Sequence, residues 1–301
     1  MTDAARPVTI GLPVYNGEKY VAQAIESILA QTYADFTLVV ADNASTDGTL
    51  AIVESYAAGD SRIVVRPSET NRGAAWNFNR VFDGCDSPYF KWAAADDMMA
   101  PRCVERCVEA LEGASPSYVL AFPRTLIVDD DGTVVAEYTD PLAIRAEDAP
   151  HRRLARAVRN VVQGNLVFAL MRTQAVRRTR LHGAFPSSDY VLIAELALLG
   201  GFLEVPEPLF LRRVHAAMSR RANPSLEEIS LWFDPSAKPV RSEDRRLFRE
   251  HLAAIRHIPL PAHERVLSVA VLVWTWGRRR WLLGARGRLR RVLARPGRSS
   301  S

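Results

Sequence analysis

The chain has 301 residues, of which 48% are apolar and 24% are charged, a composition typical of folded globular proteins. This length accommodates one α/β domain with a helical extension and a sizeable core. Its three cysteines, Cys85, Cys103 and Cys107, argue against a disulfide framework and favour a reducing compartment. No apolar run reaches the roughly 18–20 residues of a membrane span, and the start of the chain lacks the pattern of a secretory signal, so we expect a cytoplasmic protein.

The net charge of +5 is unevenly distributed along the chain. The segment from Gly277 to Arg298 holds nine arginines and no acidic residue, so the rest of the chain has a net charge of −4. Tryptophan and leucine side chains lie among these arginines, which is typical of an amphipathic helix on an anionic membrane surface. A solvated arginine-rich end explains the same pattern equally well. Nucleic acid is not an expected partner, because no nucleic-acid-binding module accompanies the charge.

The first 110 residues alternate short apolar runs with segments of helical periodicity. The predicted strands are Val8–Leu12, Phe36–Ala41, Arg62–Arg66 and Tyr89–Ala93. The predicted helices that follow them are Gly17–Leu29, Leu50–Ala57, Gly73–Phe82 and Pro101–Leu111. This alternation predicts an α/β fold with a mostly parallel sheet and helices on both faces.

The second half of the chain has a more mixed pattern. Predicted strands are Tyr118–Ala121, Thr125–Val128, Val134–Tyr138 and the extended segment Phe202–Val214. Predicted helices are His151–Val162, Asp189–Leu199, Arg241–His257 and a segment that begins after Pro261. The pattern predicts a helical C-terminal extension over residues 221–301.

Polar clusters follow three of the predicted strands, at residues 13–18, 42–49 and 94–97. In parallel sheets, ligands bind beyond the carboxyl ends of the strands, so the three clusters indicate one binding site. The last cluster contains Asp96-Asp97, and a divalent cation bound with diphosphate oxygens would neutralise this pair. The alternative is a solvated pair of carboxylates ahead of the helix that begins at Pro101.

The other two clusters contain groups suited to a nucleotide. Tyr15 could stack on a base, and Asp42 could accept hydrogen bonds from a base or a ribose. Each cluster also has a purely structural interpretation: Gly17 suits a strand-to-helix turn, and Asp47 suits the cap of the following helix.

Together these motifs resemble the family-2 glycosyltransferases of the GT-A fold. The resemblance rests on Pro-Val-Tyr-Asn-Gly at 13–17, Asp-Asn-Ala-Ser-Thr-Asp-Gly-Thr at 42–49, Asn71-x-Gly73 with Asn77, and Asp96-Asp97 followed by Pro101, over roughly residues 8–215. It implies a Rossmann-like GT-A domain over residues 1–220, with a nucleotide-binding half at about 1–115 and an acceptor-side half at about 116–220. It also implies inverting transfer of a sugar from a nucleotide-diphosphate sugar to an acceptor hydroxyl.

The resemblance assigns site residues by position in the motifs. The implied nucleotide-sugar ligands are Pro13, Tyr15, Asn16, Asp42, Asn71, Asn77, Asp96 and Arg213. The implied ligands of a Mg²⁺ or Mn²⁺ ion are Asp96, Asp97 and His215. The usual acidic motif is Asp-x-Asp-Asp, whereas this chain reads Ala94-Ala95-Asp96-Asp97. The replacement at Ala94 puts the ribose contact and the affinity for the metal in question.

The family also has a catalytic carboxylate at the start of a helix beyond the sheet, and Asp189 matches that context. It would be the general base that takes the proton of the acceptor hydroxyl, although a helix cap is the alternative role. Arg212 or Arg213 would stabilise the leaving diphosphate, and His215 would ligate the metal or bind phosphate.

Three functions remain open at this point. The first is a glycosyltransferase of cell-surface polysaccharide or glycolipid synthesis, peripheral on the inner face of the membrane, with a glycan, a lipid-linked sugar or a small molecule as acceptor. The second is a non-catalytic nucleotide-sugar-binding paralogue, which Ala94 favours. The third is a membrane-surface adaptor that acts through the basic tail at 277–298. The sequence does not indicate the sugar, the base or the acceptor.

Overall fold

The computed structural model describes residues 6–236, 238 and 240–293, with side chains described as far as Arg278. The first part of the chain alternates strands and helices as the sequence predicts. Its strands are β1 (Val8–Val14), β2 (Phe36–Asp42), β3 (Ile63–Pro67), β4 (Tyr89–Trp92) and β5 (Met98–Met99). Its helices are α1 (Val21–Leu29), α2 (Thr49–Gly59), α3 (Ala74–Arg80) and α4 (Cys103–Glu112).

The second part contains four further strands and seven α-helices within the described residues. The strands are β6 (Tyr118–Val128), β7 (Val134–Tyr138), β8 (Leu170–Arg172) and β9 (Gly201–Arg213). The helices are α5 (Pro150–Asn160), α6 (Thr173–Val176), α7 (Ser188–Leu199), α8 (Ser219–Ala222), α9 (Leu226–Phe233), α10 (Glu243–His257) and α11 (Ala262–Leu293), and a short 3-10 helix spans Asn165–Phe168. The predicted basic tail is helical to Leu293, and its residues 294–298 lie outside the described part.

All nine strands belong to one sheet, in the order β3-β2-β1-β4-β8-β6-β9-β5, with β7 paired to β6. Six strands run in the same direction: β1, β2, β3, β4, β6 and β9. The remaining strands, β5, β7 and β8, run antiparallel to their neighbours. The prediction of a mostly parallel GT-A-type sheet is therefore confirmed.

Helices cover both faces of the sheet because side chains alternate along each strand. On one face, Ile10 and Leu12 of β1 pack with Ile25 of α1 and with apolar residues of α2 and α4. On the other face, Phe90 and Trp92 of β4 pack with apolar residues of α3 and α7. A third apolar cluster joins α5, α7, α10 and α11, so the C-terminal helices pack directly on the sheet domain. The predicted division of the chain near residue 220 stays a prediction.

Strand β6 is longer than the sequence pattern predicts, because it joins the two predicted strands Tyr118–Ala121 and Thr125–Val128 into one. It runs through Pro123, and β9 runs through Pro206 and Pro208. The register between the two strands shifts at this point, because Val205 pairs with Pro123 while Pro208 pairs with the next residue of β6. Pairing is locally disrupted at such a bulge, so the absence of a backbone N–H in proline does not end either strand.

The sequence also predicted that the chain contains no membrane-spanning segment. Among the described helices, α11 included, none is long and apolar enough to cross a bilayer.

Candidate active site

A cleft of about 540 Å³ opens at the carboxyl ends of β1 and β4. Eight of the predicted site residues line it: Pro13, Tyr15, Asn16, Asn71, Asn77, Asp96, Asp97 and His215. The other three, Asp42, Arg213 and Asp189, lie outside its lining. The fold thus brings the three polar clusters together at one edge of the sheet, as the sequence predicts.

Hydrogen bonds join the loop after β1 to the loop after β2. Asn16 has a left-handed backbone (φ 51°), and its Oδ1 accepts a hydrogen bond of 2.8 Å from the backbone N of Thr46. Its own backbone N donates to Ser45 Oγ at 2.9 Å, and the N of Gly17 donates to Thr49 Oγ1 at 2.8 Å. The side-chain oxygen of Asn16 is therefore used in holding the two loops together. The neighbouring Tyr15 is exposed and lines the cleft.

Asp42 is buried at the end of β2. Its Oδ2 accepts a hydrogen bond of 3.0 Å from the backbone N of Ser45. Its Oδ1 is buried without a hydrogen-bond partner in the described part of the chain. A buried carboxylate oxygen without a partner is costly, so a donor group of a ligand would be stabilising there.

Asparagine side chains hold the loop between β3 and α3 against the strand ends. The Nδ2 of Asn77 donates to the carbonyl oxygens of Val14 (3.2 Å) and Ala41 (2.8 Å). The Oδ1 of Asn71 accepts from Nδ2 of Asn43 at 2.8 Å. These contacts shape the floor of the cleft. Sequence patterns did not single out Asn43, although it directly follows Asp42.

The two acidic residues after β4 have different surroundings. Asp96 is partly exposed in the cleft, and its Oδ2 lies 2.9 Å from Nε2 of His215. Asp97 is buried, and its Oδ1 accepts a hydrogen bond of 2.8 Å from the backbone N of Arg213. Burial and then the negative charge of Asp96 raise the pKa of Asp97 well above its usual value. The two aspartates therefore have different contacts: Asp96 faces the cleft, whereas Asp97 is hydrogen-bonded to the backbone of β9.

Asp96 and His215 fit a divalent cation bound together with a ligand. Around an octahedral cation with bonds of about 2.0–2.1 Å, adjacent ligand atoms are about 3 Å apart, which matches the 2.9 Å between Asp96 Oδ2 and His215 Nε2. No group of three or more His, Cys, Asp or Glu residues suited to a metal occurs in the described residues. Protein ligands alone are too few, so a cation here would need oxygen atoms of a diphosphate or water.

The two adjacent arginines at the end of β9 point in different directions. Arg213 is fully buried, and its guanidinium donates to the backbone oxygens of Asp96 (3.0 Å) and Asp130 (2.7 Å) and to Gln23 Oε1 (2.5 Å). Its positive charge is used inside the protein, and the structure does not bring it to the cleft. Arg212 lines the cleft instead.

Arg212 connects the cleft to the loop that contains Gly164. Its Nη1 donates to Gln163 Oε1 and, at 2.9 Å, to Asn165 Oδ1. Asn165 in turn donates to Asp140 Oδ2 at 3.3 Å. Burial raises the pKa of Asp140 to about 6. This buried network holds the position of Arg212, and sequence patterns indicated none of its other members.

Asp189 lies in the first turn of α7, in close contact with Gly164. Gly164 has a left-handed backbone (φ +68°), and a Cβ atom there would overlap Oδ2 of Asp189. Burial raises the pKa of Asp189 to about 6, while the nearby charges of Arg220 and Arg212 act in the opposite direction. Arg212 lines the cleft and contacts both neighbours of Gly164, which touches this carboxylate.

Residues that the sequence patterns did not single out complete one wall of the cleft. The ring of Tyr20 packs against that of His215 at an angle of 52°, with centroids 4.7 Å apart, and the Tyr20 hydroxyl donates to Asp130. Lys19 forms an ion pair of 2.6 Å with the same carboxylate. In the sequence, the run of aspartates at 129–131 followed by Gly132 indicates only a turn.

Helix α9 covers part of the cleft with Leu231 and Trp232. Ser225 and Glu228 form a capping box at its start, with bonds of 3.1 Å and 2.9 Å, which explains why so short a helix begins there. The carbonyl of Phe233 passes so close to Gly73 that any side chain at Gly73 would overlap it.

Comparison with known proteins identifies the family. Residues 9–178 match the family described as Glycosyl transferase family 2. The chain belongs to this family. The resemblance found in its motifs is therefore confirmed.

Relatives of this glycosyltransferase cover it only in part. It is 39% identical over 106 residues to a putative glycosyltransferase, EpsE, of Bacillus subtilis, an alignment that spans 35% of this chain and 38% of the relative. It is 26% identical over 175 residues to a putative teichuronic acid biosynthesis glycosyltransferase, TuaG, of the same organism, which spans 58% of this chain and 66% of the relative. The chain thus covers less than two thirds of the length of either relative.

Solved structures share the fold of this glycosyltransferase. TarS of S. aureus, in complex with UDP-GlcNAc, has a TM-score of 0.63 at 17% identity over 88% of this chain and 71% of that chain. The mannosyltransferase PcManGT of Pyrobaculum calidifontis, in complex with GDP-Man and Mn²⁺, has a TM-score of 0.55 at 16% identity over 94% of this chain and 76% of that chain.

Alanine substitutions should separate the roles of the two arginines. Arg213→Ala leaves several buried acceptors without a donor, so we expect the free energy of unfolding to fall by about 3 kcal/mol or more. Arg212→Ala should cost only about 1 kcal/mol and should weaken the binding of UDP- or GDP-sugars. Urea denaturation and isothermal titration measure the two effects. Equal losses of stability in the two variants would contradict the assignment.

Gly164→Ala should displace the carboxylate of Asp189. Provided that Asp189 takes part in the reaction, we expect turnover to fall by about 100-fold, since a shift of about 1 Å in a reacting group has that effect. Gly84→Ala is the matched control, because Gly84 has the same φ of +68° with no neighbour within 4 Å. Both variants carry the same backbone strain, so equal turnover in the two would show that the contact with Asp189 has no role.

Proposed function

We propose that this glycosyltransferase is an inverting, divalent-cation-dependent enzyme that transfers a sugar from a nucleotide-diphosphate sugar to an acceptor hydroxyl. The observation that carries the proposal is the position of Arg212. It lines the cleft that contains the Asp96–His215 pair, and it donates to Gln163 and Asn165, the two neighbours of the glycine that touches Asp189. A donor diphosphate in the cleft and a base at Asp189 would therefore flank the same guanidinium.

The donor base would lie between the ends of β1 and β2. Tyr15 offers an exposed aromatic ring there, and the unpartnered Oδ1 of Asp42 would accept a hydrogen bond from an N–H group of the base. The structures with this fold bind UDP-GlcNAc or GDP-Man, which supports a nucleotide sugar as ligand. Pro13, Asn16, Asn71 and Asn77 would shape the pocket around the donor.

Asp96 and His215 would hold the cation, with Asp97 in support. A Mg²⁺ or Mn²⁺ ion bound there would neutralise charge on the diphosphate as it leaves. The Mn²⁺ in the mannosyltransferase complex supports this assignment. Arg212 would add a positive charge on the same side. Arg213 would contribute by fixing the backbone of Asp96.

Asp189 would act as the general base. The acceptor oxygen forms a bond to the anomeric carbon while the bond from that carbon to the diphosphate breaks, and the hydroxyl proton passes to the Asp189 carboxylate. A single displacement of this kind inverts the anomeric configuration. The raised pKa, about 6, makes this carboxylate a stronger base than an ordinary aspartate while leaving it ionised near neutral pH.

The acceptor would belong to the synthesis of a cell-surface polysaccharide or glycolipid. The name of the relative TuaG, a teichuronic acid biosynthesis glycosyltransferase, supports a polymer of this kind. The competing function is a non-catalytic nucleotide-sugar binder, because Ala94 lines the cleft where the family usually has a carboxylate. A screen of UDP-, GDP- and dTDP-sugars for binding and then for hydrolysis distinguishes the two functions.

Asp189→Asn should retain donor binding and lose transfer. We expect kcat to fall by about 10²–10⁴-fold, because the amide cannot accept the proton, while the donor affinity measured by titration stays within about twofold. In the unsubstituted enzyme, kcat/KM should rise with pH through about 6 and level off above it, since only the ionised carboxylate acts as a base.

Asp86→Asn is the control for Asp189→Asn, because the Asp86 side chain is exposed and pairs only with Arg177 among the described residues. It should retain full activity and the same pH profile. Full transfer activity in Asp189→Asn would remove the assignment of the base.

Removal of the cation should weaken donor binding and stop turnover. With EDTA we expect the affinity for the donor to fall by about tenfold or more, since the diphosphate loses its counter-charge, and Mn²⁺ should restore it. In Asp96→Asn, added Mn²⁺ should have little effect on donor affinity, whereas Asp86→Asn should respond like the unsubstituted enzyme. Turnover that is unchanged in EDTA would contradict cation dependence.

A further inference from the structure

One side of α11 presents large apolar side chains to solvent. These residues, called the apolar face, are Val266, Leu267, Val269, Val273 and Trp274. Val266 and Trp274 are 68% and 55% exposed. The opposite side of the same helix is buried against α10, where Trp276 packs on Phe248. The apolar face is thus a helical stripe that stays exposed to solvent in the described part of the chain.

Exposed arginines on α5 border the apolar face. Arg152, Arg156 and Arg159, called the arginine flank, recur at the spacing of successive helical turns and are all exposed. The guanidinium of Arg159 lies 5.6 Å from the ring of Trp274, and that of Arg278 lies 5.5 Å from the same ring. Trp274 therefore lies between two cations at the edge of an apolar stripe.

The charge along the sequence has the same sign throughout this region. No acidic residue occurs from Arg265 to the end of the chain, and nine arginines lie between 277 and 298. The rest of the protein has a net charge of −4. Positive charge is thus concentrated in the part of the sequence that follows the apolar face, in a protein whose other residues carry net negative charge.

We propose that the apolar face and the arginine flank together dock on an anionic phospholipid bilayer. Apolar side chains would enter the interface while arginines meet the lipid phosphates, with tryptophan at the boundary between them. A second copy of this chain is a poor partner, because a symmetric contact would bring arginines against arginines. Nucleic acid is a poor partner, because valine and leucine side chains would have nothing to bury against.

The docking surface also orients the active site. Helices α5 and α11 run side by side in the same direction, since His151 contacts Glu264 near their starts and Arg159 contacts Trp274 further along. Beyond α5 the chain continues through Val162, which is 61% exposed, to Gly164 against Asp189. Docking would bring this end of the site to the bilayer. Provided that Asp189 is the base, the acceptor would then be a lipid-linked sugar.

Vesicle co-sedimentation of the full chain tests the docking surface. We expect binding to vesicles of phosphatidylglycerol and phosphatidylcholine, and little binding to phosphatidylcholine alone. The double variant Val266→Asp/Val273→Asp should bind the anionic vesicles at least about tenfold more weakly. Val134→Asp/Val135→Asp is the matched control, because these valines are 52% and 59% exposed and belong to β7 rather than to α5 or α11.

Two results would overturn the docking surface. One is equal vesicle binding by the two double variants. The other is concentration-dependent dimerisation of the unsubstituted chain that Val266→Asp/Val273→Asp abolishes, since the apolar face would then be a contact between copies. Truncation after Trp276, which removes residues 277–301, provides a third measure. Binding to anionic vesicles should weaken without disappearing. Complete loss of binding would assign docking to the removed residues alone.

Fluorescent labels test the orientation of the bound protein. The three native cysteines are buried, so an environment-sensitive dye can be attached selectively to a single introduced cysteine. Anionic vesicles should shift the emission of the dye to the blue at Val269→Cys and Val162→Cys but leave it unchanged at Val64→Cys on β3. A shift at Val269→Cys without one at Val162→Cys would overturn the orientation.

Neither experiment requires a donor or turnover. Loss of transfer in the Asp189 variant and loss of vesicle binding in the α11 variant are therefore independent results. The double variant Val266→Asp/Val273→Asp should also bind nucleotide sugars as the unsubstituted chain does, which separates a failure of docking from a failure of the proposed function.

Discussion

The buried guanidinium of Arg213 is the contact on which the candidate site depends. It joins the loop of the acidic pair, the turn that contains Asp130, and Gln23 of α1. Its backbone N also binds Asp97. One residue at the end of β9 therefore holds together segments from both halves of the sheet. Because its donors are used by backbone oxygens, it stabilises this arrangement without offering charge to a ligand.

The end of β9 separates structural and functional roles between neighbouring residues. Arg213 faces inward, Arg212 faces the cleft, and His215 follows within reach of Asp96. Alternation along the strand explains why the two adjacent arginines point to opposite sides. The same division occurs in the acidic pair, where Asp96 faces the cleft and Asp97 is tied to β9. In both pairs, a buried residue fixes the backbone that carries its exposed neighbour.

The acceptor side of the site depends on a different feature: the backbone of Gly164 lies close to the carboxylate of Asp189. The glycine lets α7 bring Asp189 near Arg212, and burial there raises the pKa of the carboxylate to about 6. The loop that contains Gly164 directly follows α5. A surface formed by α5 and α11 is therefore separated by only a few residues from Gly164, which touches the proposed base, and this would couple membrane docking to the acceptor site.

The sequence by itself determined the family, the alternation of strands and helices, and the edge of the sheet at which the polar clusters meet. These features are local: apolar periodicity defines the elements, and parallel strands bring their carboxyl ends to one edge. It also indicated Asp96, Asp97 and Asp189 as candidates, because motif spacing is readable along the chain.

Only the tertiary structure decided how these side chains divide their contacts. Which of the two arginines, Arg212 or Arg213, faces the cleft depends on the pleat of β9 and on the carbonyl oxygens of two distant loops that bind Arg213. The roles of Gly164, Asn165 and Asp140 depend on contacts with residues far away in sequence. The continuity of β6 and β9 through their prolines depends on a matched bulge. The apolar face of α11 emerges only when the opposite side of that helix is buried. A linear pattern cannot reveal these features, because each is a relation between segments that the fold brings together.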